Sequence, residues 1–123
     1  MSDPKQRSAA DYLSIMERSA EDALKMIDSM DEAAFAGSSV TFHAVAFCHF
    51  LAGQAAADLM QHHPEFATDH PQLPWTALCE TRDHILNDFA RLRSQEVWLA
   101  TQNSMKDLKA RIAELRHWRA QGE

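Results

Sequence analysis

The sequence predicts an all-α fold, a four- to five-helix antiparallel bundle. The 123 residues include only three glycines and four prolines, the residues that most disfavour a helix interior. Alanine, leucine, glutamate, glutamine, lysine and methionine are plentiful, and these lose little on entering a helix. Apolar residues also recur at intervals of three and four in four separate segments, the period of a helix face. The length suits one domain over residues 1–123, with frayed ends at 1–7 and 119–123. A chain of this size can bury roughly two thirds of its unfolded surface, enough for a core without staples.

The first helix is expected from Ser8 to Met30. Leu13, Met16, Ala20, Ala23, Ile27 and Met30 form its apolar stripe. Ser8 with Asp11 three residues on has the pattern of an N-terminal cap. "AFAGSS" then breaks the periodicity. A second helix from Ser39 to His62 is apolar over most of its circumference, which places it centrally. Gly53 in its middle costs about 1 kcal/mol of helix propensity against alanine, so something must approach closely there, another helix or a second subunit. Residues 62–74, "HHPEFATDHPQLP", read as a loop. The third helix opens at Pro74, suited to a first turn, and runs to Phe89. The fourth opens with Ser94 as its cap. Trp98, Thr101, Met105, Leu108, Ile112 and Leu115 step along it as a heptad-like seam.

Net charge is −6, which argues against a protein that coats nucleic acid by charge alone. The charge is uneven. Residues 1–81 carry −8 and residues 82–123 carry +2, so a local anionic ligand on an acidic body and mere chance both remain open. No uninterrupted apolar run reaches the roughly 18 residues that span a bilayer, and the N-terminus lacks the apolar core of a signal peptide. A cytoplasmic protein without a membrane partner is expected. Cys48 and Cys79 match no metal-site spacing and should be free thiols. His43 and His49 point about 240° apart around a helix, and ligand-spaced pairs are few among the seven histidines, so no metal and no cofactor are expected.

The remaining candidate is "RDHILNDF", residues 82–89. It crowds Arg82, Asp83, His84, Asn87 and Asp88 into about two turns. By itself it is either a functional cluster or a solvated helix face with a His84–Asp88 pair.

The order of "DYLSIMERSAEDAL", "AF", "AVAFCHFLAGQAA", "HHPEF", "LPW", "TRDHILNDF", "EVW" and "LKARI" resembles the HepT-like family of the HEPN superfamily over nearly the whole chain. The resemblance implies a helical bundle that forms a homodimer. It implies a metal-independent ribonuclease, the toxin of a toxin–antitoxin pair, whose MNT-type nucleotidyltransferase antitoxin attaches AMP to it. The family's signature is arginine, four residues, histidine, one residue, tyrosine. On this chain the arginine falls on Arg82, the histidine position is Asn87 and the tyrosine position is Phe89.

Those two changes have chemical consequences. A histidine can move the 2′-hydroxyl proton during RNA cleavage, whereas the Asn87 amide has no proton to trade near neutrality. An arginine at position 82 can still hold a phosphate by two parallel hydrogen bonds. Phe89 lacks the hydroxyl that would accept AMP. Asp83 is expected to orient Arg82 or the arginine of the other subunit, and Arg91 and Arg93 to extend the RNA- or phosphate-binding site. His84, about 200° round the helix from Arg82, faces away from it, and takes part only if a paired subunit lends it. The expected function is a phosphate-, RNA- or nucleotide-binding partner of a nucleotidyltransferase, with weak or no RNA cleavage. The alternatives are an active endoribonuclease toxin and a helical dimer with a purely structural or interaction role.

Overall fold

The structure, a computed structural model, describes residues 7–120, with side chains through Arg116. It is all-helical over that range. Four long helical rods form the bundle, and two short helices occupy connections.

Helix α1 (Ala9–Ile27) begins at a reciprocal cap. The Asp11 amide donates to Ser8 Oγ at 3.1 Å, and the Ser8 amide donates to the Asp11 carboxylate at 2.9 Å. This satisfies two of the amides that a helix start leaves unpaired. Leu13, Met16, Ala20, Ala23 and Ile27 of the expected stripe are buried, with Tyr12 and Ser19 added to them, while Met30 is only partly covered. The helix stops at Ile27, short of the expected Met30. The break that follows holds a short helix, α2 (Glu32–Ala36), not expected from the sequence. Asp31 caps it by accepting from the Ala34 amide at 2.8 Å, and Phe35 is its one fully buried side chain.

Helix α3 (Ser39–His62) has the bounds expected, with Ser38 as cap. It packs between α1 and α5. By length and composition this helix passes as a membrane span, unlike the sequence expectation that no segment does; close to half of its most apolar window is buried inside the bundle. Its apolarity comes from alanines and aromatics interrupted by polar residues, which a search for uninterrupted runs does not register. The proline-rich connection, expected as a loop, contains another short helix, α4 (Pro64–Asp69), opened by Pro64. Helix α5 (Trp75–Asp88) follows Pro74. The Trp75 indole donates to the His70 carbonyl at 2.9 Å and pins that connection.

Asp88 leaves helical geometry, with φ −149° and ψ 45°, and a 3₁₀ turn covers Phe89–Arg91. The last rod comprises α6 (Ser94–Ala100), a π turn (Thr101–Met105) and α7 (Lys106–Ala120). Its cap is Arg93, one residue before the expected Ser94, because the Glu96 carboxylate reaches back to accept from the Arg93 amide at 3.3 Å. The seam is buried at Val97, Thr101, Met105, Leu108, Ile112 and Leu115, with Trp98 only partly covered. Of the expected frayed ends, Arg7 is described, its carbonyl accepting from His63 Nε2 at 2.7 Å, and α7 runs to Ala120. The remainder of both expected frayed ends lies outside the described residues. Both cysteines are free, Cys48 buried and Cys79 partly so.

Two contacts fix how the rods meet. At the π turn, the buried Thr101 hydroxyl donates to the Val97 carbonyl at 2.7 Å, and His49 Nε2 lies 2.7 Å from the same hydroxyl oxygen. The hydroxyl proton is committed to the carbonyl, so His49 donates through Nε2. Burial alone lowers the His49 pKa to about 4. At the α3–α5 crossing, a β-carbon on Gly53 would fall 2.5 Å from Arg82 Cβ and 2.5 Å from the Leu78 carbonyl oxygen. The close partner implied by Gly53 is therefore helix α5, within the same chain.

Gly53→Ala should lower the unfolding free energy in urea by about 1–3 kcal/mol through overpacking, against the roughly 1 kcal/mol gain alanine normally brings to a helix interior. A net gain in stability would show that the two backbones separate freely. His49 is a base whose folded pKa lies below its ordinary 6.5, so between about pH 6.5 and 4 the unfolded chain binds more protons. Stability is unaffected by this group above that window and falls as the pH drops through it. His49→Gln, which retains a donor toward Thr101, should flatten that part of the stability–pH curve relative to the native chain. Parallel curves would contradict it.

Candidate functional site

Arg82 lies on α5 directly over Gly53. Its side chain is 21% exposed. Nε donates to Asp83 Oδ1 at 3.0 Å, and Nη2 donates to the same oxygen. Nη1 donates to Gln54 Oε1 at 3.2 Å, and the Gln54 amide in turn donates to Asp58 at 2.9 Å. A guanidinium has five N–H donors in one plane. These contacts take three of them and leave one N–H on each terminal nitrogen for an anion. Gly53 and Gln54 are thus adjacent residues with linked effects: the first lets Arg82 approach, and the second holds its tip.

The other residues of "RDHILNDF" separate around the helix. Asp83 lies against Arg82 in the same chain. Asn87 is exposed, about 140° round from Arg82 on an ideal helix and one residue before the distortion at Asp88. Its side chain has no hydrogen bond within the described residues. His84 turns toward α6, where Nε2 lies 3.6 Å from Glu96 Oε2. The intrahelical His84–Asp88 pair is not formed; Asp88 instead stands 4.0 Å from Arg91. A hydrogen bond from Arg93, together with the nearby His84, holds the Glu96 carboxyl below its usual range.

Arg91 and Arg93 are not gathered round Arg82. Both lie past the end of α5, about 10 Å or more along the helix direction. Arg91 is highly exposed, and Arg93 is paired with Glu96 at 3.2 Å on the α6 side. A cavity of about 230 Å³ on that side is lined by Glu80, Thr81, His84, Leu92 and Glu96 among others. Its two carboxylates oppose an anion, so it does not continue the Arg82 site. Burial raises the Cys79 thiol pKa despite the nearby Arg82 charge, and burial also raises that of Cys48. Neither is an activated nucleophile.

A further neighbour stands at this surface that was not expected there from the sequence. His43, on α3, stacks on Phe89 with ring centroids 5.6 Å apart, and Phe42 stacks on Phe89 at 5.9 Å. His43 Nδ1 lies 2.6 Å from the Ser39 carbonyl. A carbonyl only accepts, so Nδ1 carries the proton and Nε2 presents its lone pair. Between Arg82 at one end and His43 at the other runs an exposed apolar strip, with Phe47 at 59% and Leu86 at 63% exposure and Leu51 beside them. No sequence signal joins His43 to position 89; only the packing of α3 against α5 does so. Among the described residues no three histidine, cysteine or acidic side chains converge as metal ligands.

The helical bundle is of the HEPN type. The chain belongs to the ribonuclease HepT-like family, whose model matches residues 16–115 and so includes Arg82, Asn87 and Phe89. No curated protein and no solved structure matches the chain.

His84 and Arg82 stand on different sides of α5, so their substitutions should separate. His84→Ala should leave the affinity for a short single-stranded RNA within about twofold, since an exposed pair contributes little. Gln54→Ala should weaken it by about 0.5–1.5 kcal/mol as the guanidinium loses its anchor. Fluorescence anisotropy measures both, and the reverse order of effects would move the site to the α6 face.

Proposed function

We propose that this HepT-like chain holds an RNA or nucleotide phosphate at Arg82 and cleaves RNA weakly at most. It acts as a cytosolic homodimer partnered by an MNT-type nucleotidyltransferase. One observation carries the reading: Arg82 is held by Gln54 and Asp83 with one N–H on each terminal nitrogen to spare, while the family's histidine position is an asparagine. Binding and cutting are separate tasks. Binding needs the cation and its donors. Cutting also needs a group that takes the 2′-hydroxyl proton and a donor for the departing 5′-oxygen, and acid–base help of this kind is worth roughly 100- to 10,000-fold in rate.

The exposed strip of Phe47, Leu51 and Leu86 supports the dimer, because these apolar side chains cluster on one face in the single chain. Asp83 moderates the site. It aligns the guanidinium but also cancels part of its charge, which suits a ligand that brings several phosphates or a second arginine from the other subunit. Phe89 carries no hydroxyl, so AMP attachment by the partner at that position is chemically closed. Pairing with the nucleotidyltransferase then rests on protein–protein contact.

The test is RNA binding and digestion in EDTA with the native chain, Arg82→Ala and Asn87→His. Arg82→Ala should weaken RNA binding by about 1.5–3 kcal/mol, the range for a hydrogen bond to a charged group. Asn87→His should raise the cleavage rate of the native chain by at least about tenfold toward the full acid–base contribution. Native cleavage that Asn87→His does not improve would overturn the account of position 87, and unchanged binding by Arg82→Ala would overturn the phosphate site.

A further inference from the structure

If position 87 supplies no imidazole, the structure still offers one at the same surface. On α3 the side chains of Val40, His43, Phe47, Leu51, Gln54 and Asp58 share one outward stripe, all within about 80° at 100° per residue. His43 and Gln54 are about 20° apart around the helix and about 16 Å apart along it. His43 marks the end where Phe89 and Arg91 lie, and Gln54 marks the end where Arg82, Asp83 and Asp58 lie. Within one chain, then, the open imidazole nitrogen and the guanidinium are too far apart to act on one phosphate.

A two-fold axis removes that separation. The midpoint of His43 and Gln54 falls between Phe47 and Leu51, the exposed apolar part of the stripe. On α5 the midpoint of Arg82 and Phe89 falls beside Leu86, which is also exposed. An isologous contact centred there pairs each patch with its own copy. It runs the two α3 helices antiparallel, sets Phe47 against Leu51 and brings the His43 end of one chain to the Arg82 end of the other. The charges agree with this direction: Asp58 and Asp83 at one end meet Arg91 at the other.

We propose that the imidazole missing from position 87 is supplied across this dimer, so that Arg82 of one subunit and His43 of the partner subunit act on one RNA phosphodiester. The inference rests on the phosphate role assigned to Arg82 above. Arg82 holds the non-bridging oxygens. Nε2 of the partner's His43 takes the proton of the 2′-hydroxyl as O2′ bonds to phosphorus. The P–O5′ bond breaks, its electron pair leaves on O5′, and water supplies the proton that makes the 5′-hydroxyl. The other product is a 2′,3′-cyclic phosphate, and the imidazolium returns its proton to solvent. His43 has the features such a base needs: a tautomer set by the Ser39 carbonyl, an exposed position on α3 and a ring packed on Phe89. The resulting activity is low because His43 acts without the second imidazole that would protonate the leaving oxygen.

The test is complementation. Native dimer, Arg82→Ala, His43→Ala and His43→Gln are assayed on a fluorogenic single-stranded RNA in EDTA, beside dimers co-expressed from Arg82→Ala and His43→Ala chains with two tags. Each single variant should lose about 100-fold or more of the native rate. His43→Gln, which keeps bulk and polarity but no exchangeable imidazole proton, should be as slow as His43→Ala. The doubly tagged heterodimer holds one intact composite site of two and should recover about half the native rate. Heterodimers as slow as the single variants would overturn the composite site, as would a native rate retained by His43→Ala or a chain that sediments as a monomer. A native rate no higher than that of Arg82→Ala would overturn it too. In each of these cases RNA binding that still depends on Arg82 leaves the phosphate role standing, and only its independence of Arg82 removes both.

Discussion

The contact on which the site depends is the crossing of α3 and α5 at Gly53. The absence of one β-carbon lets the α5 backbone at Leu78 and the Arg82 side chain lie against α3. The next residue, Gln54, then reaches the guanidinium. Any side chain at position 53 would push α5 outward, and Arg82 would lose both its burial and its orientation. The roughly 1 kcal/mol that glycine costs in a helix is thus offset by a geometry that a larger residue would not allow. The same close packing fixes the far end of α5, where Phe89 meets His43 and Phe42.

Around that contact, the two sides of α5 are chemically distinct. One side carries Arg82 and Leu86 beside the outward stripe of α3. The other carries His84, which with Arg93 and Glu96 forms a largely self-neutralised network against α6. An arginine and a histidine two residues apart in the chain therefore cannot act together within one molecule. A phosphate is gripped where the cation has spare donors, and proton transfer requires a base on that same surface. The chain separates those two requirements, keeping the first on α5 and placing the nearest suitable imidazole on α3.

Much of the fold was legible in the sequence, for reasons that differ by element. The bounds of α3 were readable because a long apolar stretch lies between the break at "AFAGSS" and the proline-rich "HHPEFATDHPQLP". The reciprocal cap of α1 was readable from Ser8 and Asp11. Helices α2 and α4 were not, since five- and six-residue helices are too short to show a period and are held by tertiary contacts such as buried Phe35. The π turn was hidden because Thr101 and Met105 are four apart, a spacing that an unbroken α-helix also gives. At the site, Arg82 and the opposed direction of His84 followed from helical geometry. Gln54 and His43 did not, because their roles arise from residues 28 and 46 positions away that only packing brings near.

The central claim is that Arg82, held by Gln54 and Asp83, presents its two free N–H groups to a phosphate. The most direct measurement is a crystal structure of the dimer with a non-cleavable 2′-deoxy oligonucleotide, read at the Arg82 terminal nitrogens. The expected result is a phosphate oxygen on Nη1 and another on Nη2, each at about 2.7–2.9 Å, with the Gln54 and Asp83 contacts retained. An ordered oligonucleotide on any other surface, with Arg82 bound only to Gln54 and Asp83, would contradict it.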